Sequence, residues 1–115
     1  MCGIIGINSN KPVTGTIINS LKKLEYRGYD SAGIATLSGS QINEVKSEGR
    51  VDNLEKNSLV QSMNGTIGIG HVRWATHGLP NTINAHPHSS QNVSVVHNGI
   101  IENSKIGRAS CRERV

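Results

Sequence analysis

The chain has 115 residues and a mass of 12.3 kDa, which is room for at most one small domain. Hydrophobic residues make up 35% of it, with no Phe and one Trp, a thin supply for a self-sufficient core. The net charge of +4 comes from scattered lysines and from Arg108, Arg112 and Arg114 near the end, with no interleaved aromatics, so no nucleic-acid partner is expected.

No secretory signal opens the chain, and no apolar run approaches the ~20 residues that cross a bilayer, so no membrane partner is expected either. The two cysteines, Cys2 and Cys111, do not make a disulfide framework. The expected compartment is a reducing cytoplasm, which also keeps Cys2 as a thiol.

Gly3 to Ile7 is a short apolar run bounded by Asn8 and Asn10 and predicts a buried strand. Ile17, Ile18, Leu21 and Leu24 share one helical face opposite Lys22, Lys23 and Glu25, with Pro12 near the start and Gly28 after the end. Ala32 to Leu37 predicts a second strand that turns at Ser38-Gly39-Ser40 and returns through Ile42 to Val45. Val51 to Val60 predicts one short polar helix.

Thr66 to Trp74 alternates Ile67, Ile69, His71 and Arg73 against Gly68, Gly70 and Val72, the pattern of a strand with glycines where backbones approach closely. Gly78 to Gln91 is a polar loop, and Val93 to His97 is the last strand, ending at Asn98-Gly99. Strands dominate, and several end in chemically loaded residues, the layout of a sheet with a site on its rim.

Cys2 carries the most chemistry for its position. A small second residue lets Met1 be trimmed, and the mature chain then begins with a thiol and an α-amine on one residue. The amine titrates near pH ~8 and the thiol near ~8.5, so each is within reach of the other's proton at neutral pH. That is a nucleophile with its own base.

Four segments matter together: Cys2 to Gly6 (CGIIG), Tyr26 to Gly33 (YRGYDSAG), Gly70 to Gly78 (GHVRWATHG), and Asn84 to His88 (NAHPH) followed by Val95 to Gly99 (VVHNG). In this order the chain resembles, over roughly residues 1 to 104, the glutaminase domain of the glutamine–fructose-6-phosphate aminotransferases. These belong to the class II glutamine amidotransferases, which are N-terminal-nucleophile hydrolases. The purine-pathway amidophosphoribosyltransferases resemble it less, reading closer to HRGQ(D/E) and RYST at these places, and asparagine synthetases read RGPD. Outside this class, the alternative is a small non-catalytic binding module.

The resemblance implies an α+β fold, a four-layer αββα sandwich of two antiparallel sheets between helix layers, present here as roughly the first half of the domain. It implies L-glutamine as substrate, and fructose 6-phosphate as acceptor through an isomerase half that these residues do not include. The complete enzyme is then expected to be a homo-oligomer that makes glucosamine 6-phosphate and glutamate.

Amide hydrolysis needs a nucleophile, a proton acceptor and a home for the oxygen anion of the tetrahedral intermediate. Cys2 supplies the first two. The resemblance assigns the third to the Asn98 side chain and the Gly99 backbone N–H, although Asn-Gly alone also marks an ordinary hairpin turn. Arg73 suits the α-carboxylate of glutamine, since its planar fork meets a carboxylate in two bonds. Thr76 and His77 are expected to line the pocket. Trp74 is a core residue by type, and a gate by resemblance.

Arg27 and Asp30 are expected to pair and hold the Cys2 strand. Ser31 lacks the Gly-x-Ser-x-Gly context of a hydrolase serine. The five histidines invite a metal reading, but no acidic or thiolate residue near them closes a site, so neither metal nor cofactor is expected.

The family pattern runs to Glu102-Asn103 and stops, before the aspartate that would capture the α-amino group of glutamine. Residues 105–115 look foreign to the domain. Ile106 to Val115 (IGRASCRERV) has no apolar periodicity and back-translates into a common short-read sequencing adapter. Strands without all their partners should leave open edges and incomplete burial, and a chain of this extent is expected to be catalytically silent alone.

Overall fold

The computed structural model describes residues 2–74 and 85–97, without the side chain of Arg27. Four strands form one antiparallel sheet: β1 (Gly3–Asn8), β2 (Ser31–Ser38), β3 (Gln41–Glu48) and β4 (Ile67–Arg73), in the order β1-β4-β2-β3. Helices α1 (Thr14–Leu24), α2 (Val51–Glu55) and α3 (Ser58–Gln61) accompany it, and a short ribbon, β5 (His88–Ser89) with β6 (Ser94–Val95), makes a second sheet. The fold is α+β with antiparallel sheets, and the described residues make up part of a domain.

The alternation seen in the sequence determines which face each strand residue takes. Ile5 and Ile7 of β1, Val72 of β4 and Ala32 and Ile34 of β2 pack against Val13, Ile17, Ile18 and Leu21. Val51, Leu54, Val60 and Met63 extend this core beyond α1. Gly68 and Gly70 let α1 sit directly on β4. A methyl group at Gly70 would lie 2.6 Å from Ile17 Cγ2, and one at Gly68 2.7 Å from Ile17 Cδ1.

The segment entering α1 is tied to the residues leading into β4 by backbone bonds from Ser9 to Thr66 (2.9 Å) and Val13 to Gly65 (3.0 Å). The helix foreseen over residues 51–60 is two. Asn57 breaks it because its side chain accepts the Leu59 N–H at 2.9 Å, capping α3 and starting a new helix. The strand foreseen over 93–97 shortens to Ser94–Val95, and part of the foreseen polar loop pairs with it as β5.

The other face of the sheet carries residues 85–97. Gly33 makes this possible: a Cβ there would collide with the His86 carbonyl oxygen and lie 2.7 Å from Pro87 Cδ. Beyond this cover the face is open, with Ile4 44% and Ile67 42% exposed, and a cleft runs between Leu37, Ile42, Ile69 and Ser94. Open edges and incomplete burial were expected from strands short of partners, and both are present among the described residues. No helix among them is long and apolar enough to cross a membrane.

Two glycine substitutions should act with opposite sign. Gly33→Ala is expected to cost about 2 kcal/mol or more, because backbone atoms must move. Gly15→Ala, on the exposed side of α1 with nothing within 4 Å of the added methyl, should gain about 0.5 kcal/mol. Chemical denaturation of the two variants reads both.

Candidate active site

Cys2 immediately precedes β1 and is half-buried. The register pairs Gly3 with Val72 on one side of β4 and Ser31 with Arg73 on the other. Continued by one residue, it puts Cys2 across from Arg73. Cys2, Arg73 and Ser31 therefore share one rim of the sheet, drawn from three strands far apart in sequence.

Asp30 ties this rim together. Its N–H donates to the Arg73 carbonyl at 2.7 Å, and its own carbonyl accepts the Gly49 N–H at 2.8 Å. Its Oδ1 accepts from Ser31 Oγ at 2.9 Å and lies 3.7 Å from Arg73 Nη1. Arg73 is 7% exposed, so its guanidinium is anchored from within the fold. Asp30 was expected to pair with Arg27; its carboxylate lies beside Arg73, and the Arg27 side chain is outside the described atoms.

Trp74 follows Arg73 and is 47% exposed, with its ring over Gly28, whose φ of 114° and missing Cβ make the contact possible. Core packing is thereby excluded for this indole. Glu25 supports the segment that carries Gly28 and Asp30. Its Oε2 accepts the Val51 N–H at 3.2 Å and lies 3.9 Å from Arg50 Nε, and the Arg50 guanidinium sits 5.3 Å over the Tyr29 ring.

One row in from the rim, His71 lies between Ile4 and Gly33 and is fully buried. Its ring stacks on His86 with centroids 4.3 Å apart, and His86 meets His88 edge-on at 4.4 Å. His71 Nε2 is 2.9 Å from the His97 carbonyl oxygen. Burial is the largest cause of low basicity here, and Arg73 adds to it. The His71 pKa is pushed down to about 4 and that of His86 to about 3, and His88 is lowered by burial and by Lys46. All three are neutral at pH 7. Among the described residues no three His, Cys, Asp or Glu side chains converge on a metal position.

Of the residues singled out from the sequence, Cys2, Arg73 and Trp74 come together at this rim. Thr76 and His77 fall in residues 75–84, and Asn98 and Gly99 in residues 98–115, outside the described residues, as does the foreign-looking tail. Sequence reasoning missed the Asp30–Arg73 pair and the contact from His71 to His97. The strand pattern held no signal for the second: Ile67, on the same face of β4, is 42% exposed, and His71 is buried where His86 stacks on it.

No family model matches the sequence. Whole-protein relatives do. A glutamine–fructose-6-phosphate aminotransferase [isomerizing] from Bradyrhizobium diazoefficiens is 57% identical over 103 residues, covering 90% of this chain and 17% of that protein. Proteins of the same name from Mesorhizobium japonicum and Brucella abortus are 55% and 56% identical, with the same coverage. The chain is a relative of these aminotransferases. It spans about 17% of their length.

Among solved structures, it superposes on a glutamine phosphoribosylpyrophosphate amidotransferase from B. subtilis, complexed with ADP and GMP. The TM-score is 0.76 at 25% identity, covering 99% of this chain and 25% of the other. An allosteric regulatory enzyme of purine biosynthesis gives 0.80 at 26% identity with the same coverage. The fold is that of the N-terminal-nucleophile glutamine amidotransferases.

The neutral histidines give an acid-sensitivity prediction. An imidazole whose pKa falls on folding holds its proton more tightly in the unfolded chain, so its full stability exists above pH ~6.5 and is lost as pH falls. From His71 alone the loss at pH 5 is about 2 kcal/mol. Melting temperature should be level from pH 7.5 to 6.5 and drop steadily from there to 5. A level profile through this window would mean the imidazoles are solvated.

Proposed function

We propose that this chain is a glutaminase segment of a glutamine–fructose-6-phosphate aminotransferase, with Cys2 as its nucleophile. The thiol of Cys2 attacks the side-chain amide carbon of glutamine, and its proton passes through the α-amine, directly or by way of a water, to the leaving ammonia. A γ-glutamyl thioester forms and water then hydrolyses it, releasing glutamate. The Asn98 carboxamide and the Gly99 N–H hold the oxygen anion of each tetrahedral intermediate, and loss of one such donor costs about 3–4 kcal/mol of barrier.

Arg73 takes the α-carboxylate of glutamine, with Asp30 orienting the guanidinium from behind. Trp74, Thr76 and His77 border the pocket. The ammonia passes to fructose 6-phosphate on the isomerase half of the whole enzyme, a homo-oligomer, giving glucosamine 6-phosphate in a reducing cytoplasm that preserves the thiol.

The observation that carries this reading is the register that puts Cys2 across from Arg73 at one sheet rim. A nucleophile and a carboxylate clamp on neighbouring strands match the two ends of a short amino acid amide. The sequence likeness favours fructose 6-phosphate over the phosphoribosyl acceptor, with 57% identity to the aminotransferase against 25% to the phosphoribosylpyrophosphate enzyme.

Two measurements on the full-length protein that carries this segment test the reading. Glutamine hydrolysis should fall to background in Cys2→Ala, and an electrophilic glutamine analogue should label Cys2 alone, on a chain whose intact mass lacks Met1. Hydrolysis that survives in Cys2→Ala would end the proposal. Arg73→Lys loses the two-bond fork and should raise KM for glutamine about 10-fold or more, with a smaller effect on kcat.

A further inference from the structure

His71 is buried, polar and unused by the chemistry above. It sits next to Ile4, two residues from Cys2, and it holds both ends of one segment: its ring face meets His86, and its Nε2 meets the carbonyl of His97. The residue after His97 is Asn98, whose nitrogen closes the same peptide bond. A peptide unit is planar, so fixing its carbonyl direction fixes the plane in which that nitrogen lies.

We infer that His71 is a positioning residue, which donates its Nε2–H to the His97 carbonyl and so sets the peptide that leads into the Asn98-Gly99 oxyanion donors. This rests on the glutaminase reading above.

The tautomer follows from the contacts. A carbonyl oxygen only accepts, so the nitrogen 2.9 Å from it must carry the hydrogen. The other nitrogen, Nδ1, is buried and has no hydrogen-bond partner among the described residues. A proton there would be an orphaned buried donor, with the Nε2 lone pair facing the carbonyl oxygen, and both cost energy. The low basicity of the ring keeps this neutral form through the physiological range.

Oxyanion donors must lie within a few tenths of an ångström of where the charge develops, and removing one outright costs about 10²–10³ in kcat. Loosening the peptide ahead of them costs part of that. Because His71 touches neither the nucleophile's proton nor the α-carboxylate clamp in this scheme, its loss should leave thiol reactivity and substrate affinity standing.

The test uses His71→Phe and His71→Gln in the full-length protein that carries this segment. His71→Phe keeps the ring's bulk without a donor and should lower kcat for glutamine hydrolysis about 10- to 100-fold. The KM for glutamine and the rate of Cys2 alkylation by iodoacetamide should stay within about threefold of the parent. His71→Gln offers a carboxamide N–H near the Nε2 position and should recover most of the loss.

A kcat within about threefold of the parent in His71→Phe overturns the inference. So does a rise in KM and a fall in alkylation rate as large as the loss in kcat, or a Gln variant no better than Phe. Should the variants unfold, nitrogen NMR of the parent decides: a protonated Nε2 and bare Nδ1 on His71 support the contact, and the reverse overturns it. Hydrolysis that persists in Cys2→Ala would instead remove the glutaminase reading, a separate outcome that the tautomer does not depend on.

Discussion

The antiparallel pairing of β1 with β4 is the constraint on which the rest depends. It holds the first residues of the chain, which would otherwise fray, and it does so in the one register that sets Cys2 beside Arg73. A slip of one residue would turn Ile5 and Ile7 out of the core and expose them, so burial enforces this juxtaposition. The pairing in turn relies on close approach from both sides. Gly68 and Gly70 admit α1 on one face, and Gly33 admits the His86-Pro87 backbone on the other. This accounts for a core that works without phenylalanine: where backbones come so near, there is little volume for large rings to fill.

Two polar environments lie next to one another at the rim, and their charges are mutually consistent. Asp30 and Arg73 form an ionised pair at the edge. One row inward, three imidazoles pack on each other and on the sheet, and each is neutral. A second buried cation beside Arg73 would meet repulsion and lose its hydration, so the histidines are better as uncharged donors and ring surfaces than as bases. The rim thus separates a charged corner from an uncharged framework behind it.

Most of the fold was legible because its signals are local. The alternation along β4, the apolar stripe of α1 and the turn at Ser38-Gly39-Ser40 each lie within a dozen residues. The break at Asn57 escaped, because a side-chain cap competes with helix continuation at a single position that periodicity averages over. For the candidate site, motif spacing pointed to Cys2, Arg73 and Trp74, which share one rim of the sheet. The partner of Asp30 and the contact from His71 to His97 were not legible, since each depends on which strands become neighbours. Cys2 and Arg73 are 71 residues apart, and only the strand order β1-β4-β2-β3 makes them adjacent.

The placement of Trp74 has an optical consequence. It is the chain's single tryptophan, half open to water, next in sequence to Arg73 and in contact with Gly28. Fluorescence excited at the red edge of indole absorption therefore comes from this corner alone. Anything that settles against the rim must change the solvent around that ring, and the emission colour will follow, so occupancy can be watched without attaching a dye.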